Sequence, residues 1–386
     1  MTAPLARNAL LLGNFVTGTA VLAPAGMLNE LAADLDVSLQ AAGWLVTFGA
    51  VILCIGSPLM AWATTHMERR TLLTATLAVI ALGHLVSAFA PDYAVLLAAR
   101  LALLVVAALY TPQAASAIAL IASEKDRPGA IAYVFIGWSL AVAVGLPMVT
   151  FLASQYGWRA AYGGIVVASV AATVLNAVGL PRGLRGVPLS AASWVEVVRN
   201  RQIVLLLLIT VLVIGGTFQV FVFLGPLLAI LADAGPRVVG LTFAVSGVIG
   251  LVGNVVTTQV VGSVGAFRMS VILIVTMVAG LIVWSIGTGI LAMMLVGTFL
   301  SSVGFAASNS IQQARLSMAA PALSSASIAL NTSAIYVGQA IGSGVAGFLI
   351  ANNAAVAVGF VAVTFTAAAI GVVFFTENES ARLKAP

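Results

Sequence analysis

Long apolar runs separated by short polar segments are the dominant pattern along this chain. A helix that crosses a bilayer core of about 30 Å needs about 20 mostly apolar residues. Twelve runs reach that length, near residues 8–33, 41–65, 71–90, 94–122, 129–155, 160–180, 203–232, 238–262, 267–288, 290–314, 323–351 and 355–375. We therefore predict twelve transmembrane helices, which are numbered below as spans one to twelve.

The apolar runs predict helices and not the strands of a membrane barrel. In such a barrel, apolar and polar residues alternate along each strand. The segment from Ile203 to Ile214 is instead apolar at nearly every position. A segment that is apolar on all its faces is typical of a helix surrounded by lipid or by other helices. The chain is thus predicted to be an all-α membrane protein.

The longest polar stretch divides the runs into two sets of six. It extends from Pro181 to Gln202. We predict an N-terminal half (1–180), a cytoplasmic linker (181–202) and a C-terminal half (203–386). A weak repeat supports two related halves, because residues 134–138 (VFIGW) and 335–339 (IYVGQ) lie about half a chain apart.

Composition and charge fit a membrane protein and indicate its orientation. Hydrophobic residues make up 62% of the chain and charged residues 7%, and the mean hydropathy is +1.16. Soluble domains are about one-quarter charged. Thirteen Lys and Arg side chains fall in segments that alternate to the inside, and only Arg159 and Arg237 fall in outer loops. The positive-inside rule therefore predicts cytoplasmic termini. The basic residues do not cluster with aromatic ones, so no nucleic-acid partner is expected.

The sequence lacks the residue patterns of an enzyme or a metal site. Cys54 is the only cysteine and lies within a span, which excludes an internal disulfide and a cysteine metal cluster. No GxxxxGK[ST] loop is present, and the two histidines are far apart. We expect no cofactor, no metal and no enzymatic activity.

Several short motifs resemble one transporter family. Gly145-Leu146-Pro147, followed by 157–159 (GWR), resembles the antiporter motif and exit of the fifth helix in the major facilitator superfamily. Residues 18–32 and 42–46 are similar to the first two helices of its drug- and arabinose-efflux branch. The resemblance implies the major facilitator fold, two pseudo-symmetric six-helix halves with a cavity lined by spans one, four, seven and ten. It also assigns gating roles to Gly145 and Pro147.

The loop after span two departs from the family pattern. Residues 63–70 (ATTHMERR) align with the signature loop, but only Arg69 and Arg70 match it. The resemblance gives this pair a gating role. The alternative is that both residues only anchor the topology.

Arg100 in span four is the first candidate for a substrate-binding residue. It stands at the position of the membrane-embedded arginine of the efflux branch. A charge at the centre of a span costs at least about 2.5–3.5 kcal/mol, so we expect its guanidinium to face the interior of the protein. Extension of the side chain to the outer interface is the alternative.

The candidates for proton coupling are few. The eleven acidic residues fall at span ends, loops or tails, and Val21 stands where related efflux proteins often carry a Glu. Coupling would therefore use Glu30, Asp34 or His84, or would be absent. Glu30 and Asp34 are about one helical turn apart and share one side of a helix.

Neutral polar side chains within the spans are further candidates for substrate binding. An amide or hydroxyl in this setting can bind a substrate or join neighbouring helices. Besides Arg100, the predicted substrate-binding set comprises Asn14, Thr17, Gln219, Asn309, Gln312, Asn331 and Gln339.

Together these observations predict a secondary transporter that exports a small organic compound, such as a drug, sugar or metabolite, by alternating access. The alternatives are an uncoupled facilitator, an organic-anion exchanger or a membrane-embedded substrate sensor. The expected partners are the small-molecule substrate, protons if transport is coupled, and the lipid bilayer. We expect a monomer in the bacterial inner membrane.

Overall fold

A computed structural model of the chain describes residues 3–64, 66–123, 126–185, 196–320 and 323–384. It confirms the predicted all-α class, and the described residues contain no β-strand. Twelve helices are long and apolar enough to cross a membrane, which confirms the predicted number of spans: Pro4–Gly26, Leu39–Met60, Arg69–Ala88, Tyr93–Ile121, Gly129–Tyr156, Trp158–Gly179, Arg201–Val222, Pro236–Val264, Ala266–Ile286, Leu291–Ala319, Ala326–Ala351 and Ala357–Glu377.

The chain forms two compact units. Unit one comprises residues 1–188 and 236–244, and unit two comprises residues 189–235 and 245–386. The α-helices before residue 188 are Ala3–Leu22, Leu28–Asp34, Leu39–Ala63, Arg69–Ala88, Tyr93–Ala107, Tyr110–Ile121, Arg127–Leu140, Leu146–Tyr156 and Trp158–Gly179. Those after residue 200 are Arg201–Val222, Leu224–Ala232, Pro236–Val264, Ala266–Ile286, Leu291–Ala319, Ser324–Ala351 and Ala357–Lys384.

Part of the predicted linker lies outside the described residues. Residues 186–195 belong to that part, and residues 196–199 form one helical turn.

Span one is shorter than its apolar run, and the prediction of a continuous helix to Ala33 is wrong. The helix ends at Leu22, a 3-10 turn covers Ala23–Gly26, and a separate short helix follows at Leu28–Asp34. Pro24 accounts for the break because it has no amide N–H to donate to the carbonyl of Ala20, four residues earlier.

Span seven is interrupted in a similar way. Its helix ends at Val222, and a second helix begins at Leu224 and ends at Ala232. Pro226 cannot donate to the carbonyl of Val222, so the first helix stops there.

Span five contains a π-helical turn at Ala141–Gly145, between helices Arg127–Leu140 and Leu146–Tyr156. The turn ends two residues before Pro147. This proline removes one amide donor from the regular hydrogen bonds of the helix, and the helix widens there into the π-helical turn. The predicted gating residues Gly145 and Pro147 therefore lie at an irregular part of the span.

Two glycines allow close helix packing at corresponding places in the two units. A Cβ on Gly137 in span five would lie 2.6 Å from the carbonyl oxygen of Leu11 in span one. A Cβ on Gly338 in span eleven would lie 2.7 Å from the carbonyl oxygen of Val211 in span seven. Spans five and eleven thus contact spans one and seven through the same type of backbone approach, at the positions of the weak sequence repeat.

We predict that Gly137→Ala and Gly338→Ala each lower the stability of the protein. The added methyl group would have to displace backbone, and overpacking of this kind costs about 1–3 kcal/mol. Gly163→Ala in span six is the matched control, because a Cβ there meets no atom within 4 Å. Thermal unfolding in detergent should show a lower midpoint for the first two variants only. A midpoint unchanged in both would contradict the close approach.

Candidate functional site

The break in span one leaves backbone carbonyls that need donors. At the end of a helix the last carbonyls have no partner within the helix. Because Pro24 cannot donate, the carbonyl of Ala20 lacks its usual partner. In a membrane interior without water, an unsatisfied carbonyl is costly.

Arg100 supplies the missing donors. Its side chain is 2% exposed. Its Nη1 donates to the carbonyl of Ala20 at 3.1 Å, and its Nη2 donates to that of Val21 at 2.6 Å. Its Nε donates to the carbonyl of Leu45 in span two at 2.7 Å. The guanidinium therefore connects spans one, two and four within unit one.

His84 and Tyr162 form a second buried pair in unit one. His84 Nδ1–H donates to the carbonyl of Ile80 at 2.8 Å, and its ring lies 5.4 Å from the ring of Tyr162 in span six. Neither His84 Nε2 nor the Tyr162 hydroxyl has a hydrogen-bond partner among the described residues. The carbonyl of Ile80 can only accept, so His84 Nδ1 carries the hydrogen in this bond.

Asn14 belongs to a closed polar cluster that joins spans one, four and five. Its Oδ1 accepts from the hydroxyl of Thr111 at 2.7 Å, and its Nδ2 donates to the carbonyl of Val134 at 2.9 Å. Trp138 Nε1 donates to Thr111 at 2.9 Å. We call these three side chains, Asn14, Thr111 and Trp138, the first node. Thr17 lies one turn further along span one, and its hydroxyl donates to the carbonyl of Gly13.

A second polar cluster joins the corresponding spans seven, ten and eleven of unit two. The Thr210 hydroxyl donates to Asn331 Oδ1 at 2.7 Å, and Asn331 Nδ2 donates to Asn309 Oδ1 at 3.0 Å. We call Thr210, Asn309 and Asn331 the second node. Next to it, Gln312 Nε2 donates to the carbonyl of Leu206.

The two nodes use corresponding spans but not equivalent positions. The glycine contacts place Asn14 against Gly137 and Ile214 against Gly338, so Ile214 is the counterpart of Asn14. Thr210 lies four residues, or one helical turn, before Ile214.

The two remaining amide candidates of unit two, Gln219 and Gln339, are buried. Gln219 Nε2 donates to the carbonyl of Gly215 at 3.2 Å, and its Oε1 has no partner among the described residues. Gln339 is 3% exposed in span eleven.

Three phenylalanine rings lie together in unit two. The rings of Phe218 and Phe221 in span seven are 5.3 Å apart, and each lies 5.9 Å from the ring of Phe305 in span ten. Phe221 and Phe305 are nearly parallel, at 14°. Phe218 is buried, whereas Phe221 and Phe305 are partly exposed.

Glu30 and Asp34, in the short helix after span one, have different surroundings. Asp34 Oδ2 accepts from Trp158 Nε1 at 2.7 Å and from Arg159 Nη1 at 2.5 Å. These two hydrogen bonds lower the pKa of Asp34. Glu30 is half-buried, and burial raises its pKa. Of the two carboxyl groups, Glu30 therefore binds a proton more readily.

The loop after span two is attached to the segment that follows span six. Glu68 Oε1 accepts from the amide of Gly183 at 2.5 Å, and the Arg69 amide donates to the carbonyl of Leu184 at 2.8 Å. The bond from Gly183 is the main reason why the pKa of Glu68 is lowered. The Arg69 side chain is buried, and its Nε and Nη1 have no partner among the described residues. Arg70 is half-buried.

The span-five turn also contacts span one. A Cβ on Gly145 would collide with the Thr19 side chain, and Thr150, one turn after Pro147, donates its hydroxyl to the carbonyl of Gly26 at 2.8 Å. The predicted gating glycine thus lies against the same end of span one that Arg100 holds.

Sequence reasoning missed most partners of these residues. Thr111, Trp138 and Thr210 were not among the candidates, and nothing in the sequence pairs them with Asn14 or Asn331. The pairing of Asp34 with Arg159 was also missed, although the opposite charges shortly after span one and at the start of span six give a weak hint of it. In the part of the chain that the structure describes, no three His, Cys, Asp or Glu residues are grouped to hold a metal ion.

Comparison with known proteins indicates one family of transporters. A family model described as Major Facilitator Superfamily matches residues 10–285. The Inner membrane transport protein YdhP of Escherichia coli (strain K12) is 29% identical over 89% of this chain and 88% of that protein. The MFS-type transporter YtbD of Bacillus subtilis (strain 168) is 33% identical, over 57% of this chain and 56% of that protein, so the match spans just over half of that relative.

A further relative and a solved structure extend the comparison. The Chloramphenicol efflux pump MT0201 of Mycobacterium tuberculosis (strain CDC 1551 / Oshkosh) is 29% identical over 62% of this chain and 58% of that protein. The crystal structure of a D-xylose-proton symporter superposes with a TM-score of 0.76 at 18% identity, covering 96% of each chain. At this identity the structural likeness concerns the fold alone.

We predict that Arg100→Met destabilises the protein. Methionine keeps much of the apolar volume but removes all three donors, and an unsatisfied buried carbonyl costs about 1–3 kcal/mol. Arg237→Met is the control, because Arg237 is exposed at the start of span eight. The thermal midpoint in detergent should fall for Arg100→Met and stay near wild type for Arg237→Met. An Arg100→Met protein as stable as wild type would contradict the role of the guanidinium as a backbone donor.

Proposed function

The chain belongs to the Major Facilitator Superfamily of membrane transporters, and we propose that it exports a small, neutral or anionic organic compound across the bacterial inner membrane by alternating access. The proposed halves are residues 1–180 and 203–386, joined by a cytoplasmic linker at 181–202. Transport by this superfamily is its established property; the direction, the substrate and the mechanism are our proposal.

The observation that carries the proposal is the pair of polar nodes. Spans of a protein that only needs to be stable in lipid have little reason to carry buried amides and hydroxyls. Here Asn14 and Thr111 join spans one, four and five, and Thr210, Asn309 and Asn331 join spans seven, ten and eleven. Polar groups that join corresponding spans of two related units, although at positions that are not equivalent, support a substrate path through the spans.

The relatives support export from the cytoplasm. One similar protein is named as an inner membrane transport protein and another as a chloramphenicol efflux pump. The second name favours a substrate of drug size over an inorganic ion, and it favours outward transport.

Proton coupling is proposed to depend on Glu30. The spans contain a single Asp or Glu, Glu377 at the end of span twelve. A proton carrier needs a carboxyl group that is partly removed from water, so that its pKa approaches the working pH. Glu30 is half-buried and its pKa is raised, whereas the pKa of Asp34 is lowered by its hydrogen bonds.

An uncoupled facilitator is the second candidate, because the spans lack a carboxyl group near their midpoints. An organic-anion exchanger shares this feature. A substrate sensor would bind its ligand without flux.

Flux into and out of proteoliposomes tests the proposal directly. Purified protein is reconstituted, the vesicles are loaded with a labelled candidate compound, and efflux is followed with and without a pH gradient. Saturable efflux that requires the protein supports a transporter of organic compounds. Binding of a compound without any flux would contradict transport and favour a sensor.

Our topology prediction can be tested with single cysteines in a Cys54→Ser background. Because the positive-inside rule places the termini in the cytoplasm, an impermeant thiol reagent added from outside should label Pro91→Cys and Asn353→Cys. The same reagent should not label Gly186→Cys or Ser380→Cys until the membrane is permeabilised. Labelling of Gly186→Cys from outside would invert the proposed orientation.

The coupling prediction compares Glu30→Gln with Asp34→Asn. Glu30→Gln should remove the dependence of flux on the pH gradient, since it removes the carboxyl group with the raised pKa. Asp34→Asn should keep that dependence, because the lowered pKa of Asp34 leaves this group charged throughout. Gradient-driven flux that survives in Glu30→Gln would exclude Glu30 as the carrier, and His84→Phe would then test the remaining candidate. Wild-type flux that ignores the gradient would favour the facilitator.

A further inference from the structure

We propose that spans seven and ten of unit two bind an uncharged aromatic compound, with its ring on Phe221 and Phe305 and a carbonyl or hydroxyl oxygen accepting from Asn309 Nδ2. The proposal rests on the function proposed above and names the substrate class. It concerns residues of unit two alone.

The partly exposed rings offer a surface for an aromatic ligand. Phe221 and Phe305 are stacked at 14° with 5.9 Å between their centroids, and Phe218 lies behind them as a buried support. Offset-stacked and edge-to-face contacts between aromatic rings are favourable at centroid distances of about 4.5–7 Å. A third ring can therefore pack on the exposed part of this cluster with the same geometry.

Asn309 has a free hydrogen-bond donor next to these rings. Its Oδ1 accepts from Asn331, but its Nδ2 has no acceptor among the described residues. The side chain is partly exposed, so this amide group is accessible. Away from bulk water, an amide group of this kind gains most from an acceptor on a ligand.

The first node shows that all the side chains of such a cluster can have hydrogen-bond partners within the protein. Thr111 donates to Asn14 Oδ1 and accepts from Trp138 Nε1, and Asn14 Nδ2 donates to the carbonyl of Val134. Each side chain of that node thus has protein partners on both its donor and its acceptor side or, for the indole, on its single donor. The second node ends instead at the free Nδ2 of Asn309.

The rings and the amide lie within reach of one small molecule. Phe305 and Asn309 are four residues apart in span ten, which places them one turn apart on one face of the helix. Spans seven and ten are antiparallel along this face, since Gln312 contacts Leu206 and Phe305 contacts Phe218. Asn309, a member of the second node, therefore lies one turn from the ring cluster.

The charges near this surface favour an uncharged ligand. The ionisable side chains of spans seven, ten and eleven are Arg201, Arg315 and Tyr336. Arg315 is buried and donates to Ser270 and Thr376, on spans nine and twelve. A sugar would need several polar partners, whereas Phe221, Phe305 and Asn309 offer two rings and one donor.

Equilibrium binding of labelled chloramphenicol, a neutral nitrophenyl amide, to the purified full-length protein tests the proposal. Phe305→Leu should weaken binding about three- to tenfold, because an aromatic contact is lost while the apolar volume is largely kept. Asn309→Asp, which replaces the donor by an acceptor in the same shape, should weaken it at least as much. Phe348→Leu is the matched control, because this phenylalanine of span eleven is exposed and lies outside the ring cluster.

Several outcomes would overturn the proposal. Chloramphenicol binding that is unchanged in both Phe305→Leu and Asn309→Asp would exclude this surface. Saturable binding of L-arabinose in place of chloramphenicol would exclude the substrate class. The substrate class would also be excluded if neither of these probes nor any other neutral aromatic amide bound. Thermal unfolding of each variant separates lost binding from lost structure.

Flux measurements separate this proposal from the proposed function. Chloramphenicol binding that depends on Phe305 and Asn309 but gives no efflux from proteoliposomes would leave the binding site intact and contradict transport. Efflux of a compound that is insensitive to both substitutions would support transport and contradict the site.

Discussion

The absence of water in the membrane interior is the constraint on which the rest of this structure depends. Each backbone carbonyl that a helix break releases must find a donor within the protein. Pro24 releases the carbonyl of Ala20, and Arg100 donates to that carbonyl and to those of Val21 and Leu45. A single buried cation thus holds the end of span one against spans two and four. The break and the arginine are stable only together, because each satisfies a group that the other would leave unpaired.

The same constraint explains the two polar nodes and the difference between them. Asn14, Thr111 and Trp138 satisfy one another and a backbone carbonyl, so the first node is complete as it stands. In the second node, the chain of hydrogen bonds from Thr210 through Asn331 stops at Asn309. A free donor beside partly exposed rings is costly in lipid and useful to a protein that binds and releases a small molecule. Our account therefore assigns a mainly structural role to the first node and ligand binding to the second.

The fold could be predicted from the sequence, whereas the contacts within the site could not. Twelve apolar runs and the length that a bilayer requires determine the spans with little ambiguity. The breaks at Pro24 and Pro226 were overlooked because the runs stay apolar across them, although each proline marks a missing donor. That Arg100 faces the interior follows from the cost of its charge in lipid. Its actual acceptors in spans one and two depend on how three helices pack, and no local pattern encodes that. The contact between Phe305 and Phe218 could likewise not be predicted, since the two residues lie in different spans.

The central claim is that ligand binding occurs at the second node and leaves the first node unchanged. Hydrogen–deuterium exchange of the full-length protein in lipid nanodiscs, with and without chloramphenicol, tests it most directly. Our account predicts that the ligand slows exchange in peptides from spans seven, ten and eleven, around Phe221, Asn309 and Asn331, and not in peptides around Asn14 and Thr111. Protection confined to spans one, four and five, or protection that is equal in both units, would contradict it.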